Sequence, residues 1–152
     1  MKNMIQMRNL TAIILMVMFI FSACKKDDPP PPTPPTPAAT QITGTARLPV
    51  GLAGDLSNAK VSIYLTIDDW NFNNPVKFVA AQGTGPSVTF TIPVASGNYY
   101  LDVWKDVDAT ATWTIGDYVG WYGSGGWGSA NLSPIQVANE QTVNVTVEMI
   151  VL

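Results

Sequence analysis

Two hydrophobic patterns divide the chain. Leu10–Phe21 is an almost unbroken apolar run of twelve residues. From Gln41 onward, apolar and polar positions alternate with a period of two, which predicts strands with one buried face. Gln41–Leu48 places Ile42, Gly44, Ala46 and Leu48 on one side, and Pro49 and Gly51 break the pattern. Lys60–Ile67 puts Val61, Ile63, Leu65 and Ile67 on one face and Ser62, Tyr64 and Thr66 on the other. A third strand is predicted over Val76–Gln82, after the turn-forming Asn71–Pro75 and before the turn Gly83–Pro86. Ser87–Val94 buries Val88, Phe90 and Ile92; after a turn at Gly97-Asn98, Tyr99, Leu101 and Val103 alternate with Tyr100, Asp102 and Trp104. Thr142–Val151 aligns Val143, Val145, Val147 and Met149. Beyond residue 40 no long segment of period 3.6 with helix caps stands out. Five to seven strands with frequent turns predict an all-β fold, an antiparallel β-sandwich.

The first apolar run has a different meaning. It is shorter than the roughly 20 residues a spanning helix needs. Lys2 and Arg8 precede it, no acid occurs before Asp27, and the small Ser22 and Ala23 lead directly into Cys24, the single cysteine. This order is that of a signal peptide over residues 1–23. Phe21-Ser22-Ala23-Cys24 resembles a bacterial lipobox. The resemblance implies a diacylglyceryl thioether and an N-terminal acyl group on Cys24. More than one chain is what stable membrane anchoring requires. The alternatives are an ordinary secretory signal or a short membrane anchor. The following Lys25-Lys26-Asp27-Asp28 resembles the surface-export signal of Bacteroidetes lipoproteins. It implies display on the outer face of the outer membrane, with periplasmic retention as the alternative.

Residues 24–40 form a tether. Seven of the nine residues Pro29–Pro37 are proline. Such a run lacks backbone donors and favours polyproline II, a semi-rigid spacer of roughly 30 Å at about 3.1 Å per residue. A PxxP ligand for a partner domain is the sharper alternative. Residues 41–152 are long enough for one domain with a core.

Charge and composition then exclude whole classes of function. Four basic side chains (Arg47, Lys60, Lys77, Lys105) face nine acidic ones within 41–152, leaving the domain five units negative. A nucleic-acid partner, which needs a basic patch, is not expected. Without histidine, Ser-His-Asp and Cys-His catalysis and His-ligated metals fall away. Without cysteine after residue 24, the domain has no disulfide.

A family resemblance rests on three stretches: Ile42-Thr43-Gly44 opening a strand, Leu56–Leu65, and Phe90–Asp106 with Gly97-Asn98-Tyr99-Tyr100-Leu101 within it. They are similar to the transthyretin-like (Ig-like) sandwich of carboxypeptidase regulatory-like and Cna-B-like modules. The resemblance covers most of 41–107 and implies a structural or accessory, non-enzymatic module. Residues 108–140 depart from it as a glycine- and tryptophan-rich insertion.

Two candidate sites lie at this insertion. Asp106, Asp108 and Asp117 could bring carboxylate oxygens, the ligands calcium prefers, into one loop. No D-x-D-x-D-G run or closing glutamate marks an EF-hand, and a solvated acidic turn is the alternative. Trp113–Gly128 holds five aromatics (Trp113, Tyr118, Trp121, Tyr122, Trp127) among six glycines. Trp113, Trp121, Tyr122 and Trp127 are candidates for stacking on a glycan or a protein partner. The alternative places Val119, Trp121 and Trp113 in the core with Trp127 outside. Asp68-Asp69-Trp70 forms a second loop of similar character. Carboxylates one or two residues apart, as in Asp68/Asp69 or Asp106/Asp108, do not suit a glycosidase cleft, and the glycines at 123–128 do not follow a strand and open a helix as a phosphate loop does. Asn131 and Asn144 each begin a glycosylation sequon, which carries little weight in a bacterial lipoprotein. The expectation is a lipid-anchored, non-enzymatic surface module contacting an envelope protein, or alternatively a glycan.

Overall fold

The computed structural model of this protein describes residues 38–152. The expected signal peptide, the lipidation site Cys24, the charged Lys25–Asp28 and the proline run Pro29–Pro37 lie outside the described residues. Twelve elements follow in chain order: β1 (Gln41–Arg47), β2 (Lys60–Tyr64), α1 (Ile67–Asn71), β3 (Lys77–Ala80), β4 (Ser87–Pro93), β5 (Gly97–Lys105), β6 (Tyr118–Trp121), β7 (Gly123–Ser124), β8 (Asn131–Leu132), β9 (Ile135–Val137), β10 (Thr142–Glu148) and β11 (Ile150–Val151). Strands dominate. Among the described residues, no helix is long and apolar enough to cross a membrane.

The strands form a small and a large sheet. The small one runs β10-β1-β4; the large one runs β11-β6-β5-β2-β3, with β9 sharing an edge of β5. β7 and β8 pair as a separate hairpin. Pairing is antiparallel throughout except β1 with β10, which run parallel in register from Gln41↔Thr142 to Arg47↔Glu148. That departs from the all-antiparallel expectation. β1 opens the described chain and β10 nearly closes it, so no tight hairpin constrains their direction.

One apolar cluster joins the two sheets. Ile42, Ala46, Val88, Phe90, Ile92, Val145 and Val147 come from the small sheet. Val61, Ile63, Leu101 and Val103 come from the large one. Burying each of the larger side chains stabilises the domain by roughly 1.5–3 kcal/mol. Gly44 lies on the core face because nothing larger fits. A Cβ there would come within 2.5 Å of Phe90 Cζ and would also meet the Val145 carbonyl.

The large sheet is covered on its other face too. Val119, Trp121 and Leu132 form a second cluster, against which Trp70, Tyr100, Trp104, Ala130, Ile150 and Leu152 pack. Tyr64 and Asp102, which alternation assigns to the polar face, are therefore buried.

Three boundaries differ from the sequence pattern. The second strand ends at Tyr64, not Ile67, because Thr66 caps α1: its Oγ1 accepts from the Asp69 amide at 3.0 Å. Asp68 and Asp69 then stand in the first turn, where the helix dipole favours acids. The Val76–Gln82 strand shortens to β3, continued only by an isolated bridge from Gln82 to Thr89. The run Thr142–Val151 splits at Met149, where the chain passes from the small sheet into the large one. The insertion 108–140 contributes four strands, and β6 pairs with the second half of β5, from Asp102↔Trp121 to Lys105↔Tyr118.

Candidate functional site

The acidic loop follows β5 and ends at β6. Asp106, Asp108 and Asp117 each offer a carboxylate oxygen, and these lie within 4.8 Å of one another. Asp117 is 1 % exposed. Its Oδ1 accepts from the Val107 amide at 2.9 Å, and its Oδ2 accepts from Trp104 Nε1 and the Thr114 amide, both at 3.1 Å. Burial opposes its charge, but these donors outweigh burial and hold its carboxyl below the usual carboxylate range. Asp108 is also held low, first by the Thr110 hydroxyl at 2.7 Å and then by the Thr114 hydroxyl at 2.9 Å. Asp106 accepts from the amides of Thr110 and Ala111. The backbone turns left-handed at Ala109 (φ 58°) and Ala111 (φ 59°), wrapping the loop around Asp106.

Counting from Asp106 reveals donors the sequence reading passed over. Asp108, Thr110, Thr112, Thr114 and Asp117 stand third, fifth, seventh, ninth and twelfth. These are the ligand positions of a twelve-residue calcium loop, in which the seventh supplies its carbonyl. The Thr110 hydroxyl lies 3.2 Å from the Thr112 carbonyl oxygen. Two substitutions obscured the pattern: Ala111 occupies the sixth position, where calcium loops use glycine, and aspartate replaces the closing glutamate. Ala111 nonetheless adopts the left-handed turn a glycine would. The donor set is all oxygen, which fits a hard divalent cation.

The aromatic candidates separate. Trp121, on β6, is 8 % exposed, and its indole N–H donates to the Ser124 carbonyl at 2.8 Å. Tyr122 is half-buried against the main core. Burial removes Trp121 from the candidate surface and leaves Tyr122 at its margin. Trp113 and Trp127 remain outside, 40 % and 59 % exposed. They meet each other with ring centroids 5.5 Å apart and planes tilted by 52°. Trp113 is carried by the acidic loop itself. Trp127 stands at the tip of the hairpin between β7 and β8, in a turn closed by the Ser129 amide on the Gly126 carbonyl at 2.9 Å. Gly128 has φ 78°, the left-handed value that a type II turn demands at its third position. Val107 and Ile115 of the acidic loop are exposed too.

A buried carboxylate beneath α1 escaped the sequence reading. Asp102 is 4 % exposed, and its Oδ2 accepts from Tyr64 OH at 3.1 Å and Trp70 Nε1 at 3.0 Å. Burial pushes its pKa up to about 6, only partly offset by those two donors and by the Lys60 charge. The Tyr64 hydroxyl is itself pushed up, first by burial and then by the Asp102 charge. Thus Asp68-Asp69-Trp70 is a capped helical turn whose tryptophan reaches inward. The signal lay in one acid, Asp102, within the otherwise apolar and aromatic Tyr99–Trp104. No family model, curated protein or solved structure matches this chain.

Proposed function

We propose that this chain is a lipid-anchored cell-envelope protein of Bacteroidetes type. In this reading a lipid on Cys24 holds it in the outer membrane, and the proline stalk displays a non-enzymatic contact module at the cell surface; the periplasmic face is the alternative. The domain is read as a transthyretin-like β-sandwich; two sheets sharing one apolar cluster support that assignment.

The observation that carries the contact role is the Trp113–Trp127 pair. Two tryptophans brought together from separate loops and left in solvent are costly unless a partner covers them, and Trp is favoured where partners bind. The domain's negative charge favours an envelope protein or glycan that is neutral or basic at the contact. Calcium bound by Asp106, Asp108 and Asp117, with Thr110, Thr112 and Thr114, would stiffen the loop carrying Trp113. The one-three-five-seven-nine-twelve spacing supports that assignment.

A paired substitution tests the contact role. The full chain is extracted in mild detergent and sized, as wild type and with Trp113→Ala and Trp127→Ala combined. The expected result is an assembly larger than one chain that the double variant loses while keeping its melting temperature. Identical sizes for both contradict it. A second reading, glycan binding, uses the same pair. A saturable tryptophan fluorescence change with neutral polysaccharides, absent in the double variant, would favour it.

A further inference from the structure

The segment between β2 and β3, residues 65–76, is organised around its own hydrogen bonds. Thr66 caps α1, Thr66 Oγ1 also donates to Asp69 Oδ2 at 2.7 Å, and the Asn74 amide group reaches Asp69 Oδ1 at 3.3 Å. The helix buries none of its residues. Leu65, Ile67 and Phe72 point their apolar side chains at solvent. Among the described residues, one side-chain hydrogen bond ties this segment to the rest of the domain: Trp70 Nε1 to Asp102 Oδ2. The Trp70 ring packs against the second apolar cluster at the same place. The helix thus lies on the sheet with Trp70 as its side-chain anchor, and at the end of the segment the Val76 amide donates to the Ile63 carbonyl at 2.9 Å.

What it fastens to is titratable. Asp102 is on the central strand β5, with Ser62 opposite on β2 and Trp121 opposite on β6. The charged or titratable groups around it are few. β2 contributes Tyr64, a neutral donor, and Lys60, whose Nζ lies 5.0 Å from the Phe78 ring centroid. β5 contributes Tyr100 on the same face; β6 brings only the neutral Trp121. The covering helix carries Asp68 and Asp69, both in its first turn. No cation makes a salt bridge to Asp102 among the described residues. A carboxylate closed in this way is stabilised by neutral donors and, after them, by the Lys60 charge, which together do not make up for burial, and water would solvate it better.

We propose that α1 is a proton-controlled flap: Trp70 covers the Asp102 carboxyl, closing as Asp102 takes up a proton in mildly acidic surroundings and loosening as the proton leaves. The direction follows from linkage. With the flap down, burial raises the Asp102 pKa to about 6 against the Tyr64 and Trp70 hydrogen bonds, which lower it; lifting the flap would admit water to the carboxyl and let its pKa fall toward the ordinary value of 3.8. The closed form therefore binds the extra proton, and falling pH favours closure. Opening in neutral surroundings would uncover Tyr64, Tyr100 and Trp121, an aromatic surface distinct from the Trp113–Trp127 pair.

Hydrogen exchange on the full chain in detergent tests this. The amides of Trp70, Phe72 and Asn74 are hydrogen-bonded within the segment and report on its order. After correction for intrinsic exchange, their protection is expected to rise about tenfold from about pH 7.5 to about pH 5. The midpoint should coincide with the Asp102 carboxyl titration followed by carbon-13 NMR. In Asp102→Asn, which keeps an acceptor but cannot titrate, the rise should vanish. Trp70→Phe, which keeps the ring but removes the donor, should lower protection at both pH values. Protection independent of pH overturns the proposal. So does a rise that persists in Asp102→Asn, or a wild-type midpoint more than about one pH unit from the Asp102 titration.

Discussion

Trp121 and Trp127 share one glycine-rich stretch and have opposite surroundings. Trp121 belongs to β6 and stands opposite Asp102, so the sheet alternation turns it into the second apolar cluster. Trp127 sits in the turn of a two-residue-stranded hairpin, which pairs with no further strand among the described residues. Asp106, Asp108 and Asp117 behave as a set: eleven positions separate first and last, yet their oxygens share one loop. If calcium binds there, millimolar calcium raises the melting temperature of the chain relative to a chelator, because a ligand of the native state stabilises it. The shift should be lost in Asp108→Ala, and an unchanged melting temperature in the wild type removes the metal assignment. The acids of this loop were legible as candidates because carboxylates at alternate positions mark oxygen-ligand loops. The threonines were not, because a missing glycine and a missing glutamate hid the twelve-residue frame. Which tryptophan is buried could not be read either: that depends on β6 joining β5, and a four-residue strand between glycines carries almost no pattern.

At the scale of elements, period-two alternation located the long strands β1, β4, β5 and β10 because each buries one face against the other sheet. It failed over Lys60–Ile67 because the apolar Leu65 and Ile67 continue the alternation while Thr66 ends the strand through its side chain. A local hydrogen bond won over a hydrophobic pattern. The run Thr142–Val151 reads as one strand although Met149 carries the chain between sheets; Val147, Met149 and Val151 keep an apolar residue at every second position through the switch, so the pattern does not mark it. The tightest element is β1, which pairs on both edges and has Gly44 beneath Phe90. Gly44→Ala should destabilise the domain by about 1–3 kcal/mol through overpacking. Chemical denaturation measures this. A loss below about 0.5 kcal/mol would show that the two sheets separate more easily than the packing implies.

For the whole molecule, the acids divide into two groups with opposite pH behaviour. Asp102, raised to about 6 in the folded state, binds its proton more readily there than in the unfolded chain. Its contribution to stability therefore grows as pH falls through about 6 and levels off near the ordinary value of 3.8. Asp55, Asp69, Asp108 and Asp117 are held below their ordinary value. Their contribution is present above the ordinary carboxylate range and is lost as pH falls below it. The domain should thus be more stable near pH 5 than near pH 7.5, by about 1 kcal/mol, with the gain absent in Asp102→Asn. Equilibrium denaturation at the two pH values checks this; equal or lower wild-type stability near pH 5 contradicts it. An all-β class was legible from strand periodicity, whereas the parallel β1–β10 pairing and the doubly covered large sheet were not, because both depend on contacts between distant segments.

The contact role of the Trp113–Trp127 pair is tested most directly by hydroxyl-radical footprinting of the same chain in intact cells and after detergent extraction. Met149, fully buried in the main core, serves as the internal reference. Trp113 and Trp127 are expected to be protected in the envelope and to become reactive on extraction, while Met149 stays unreactive throughout. Equal reactivity of Trp113 and Trp127 in both states would contradict it, and the pair would then be an uncovered feature of the surface with no partner in the envelope.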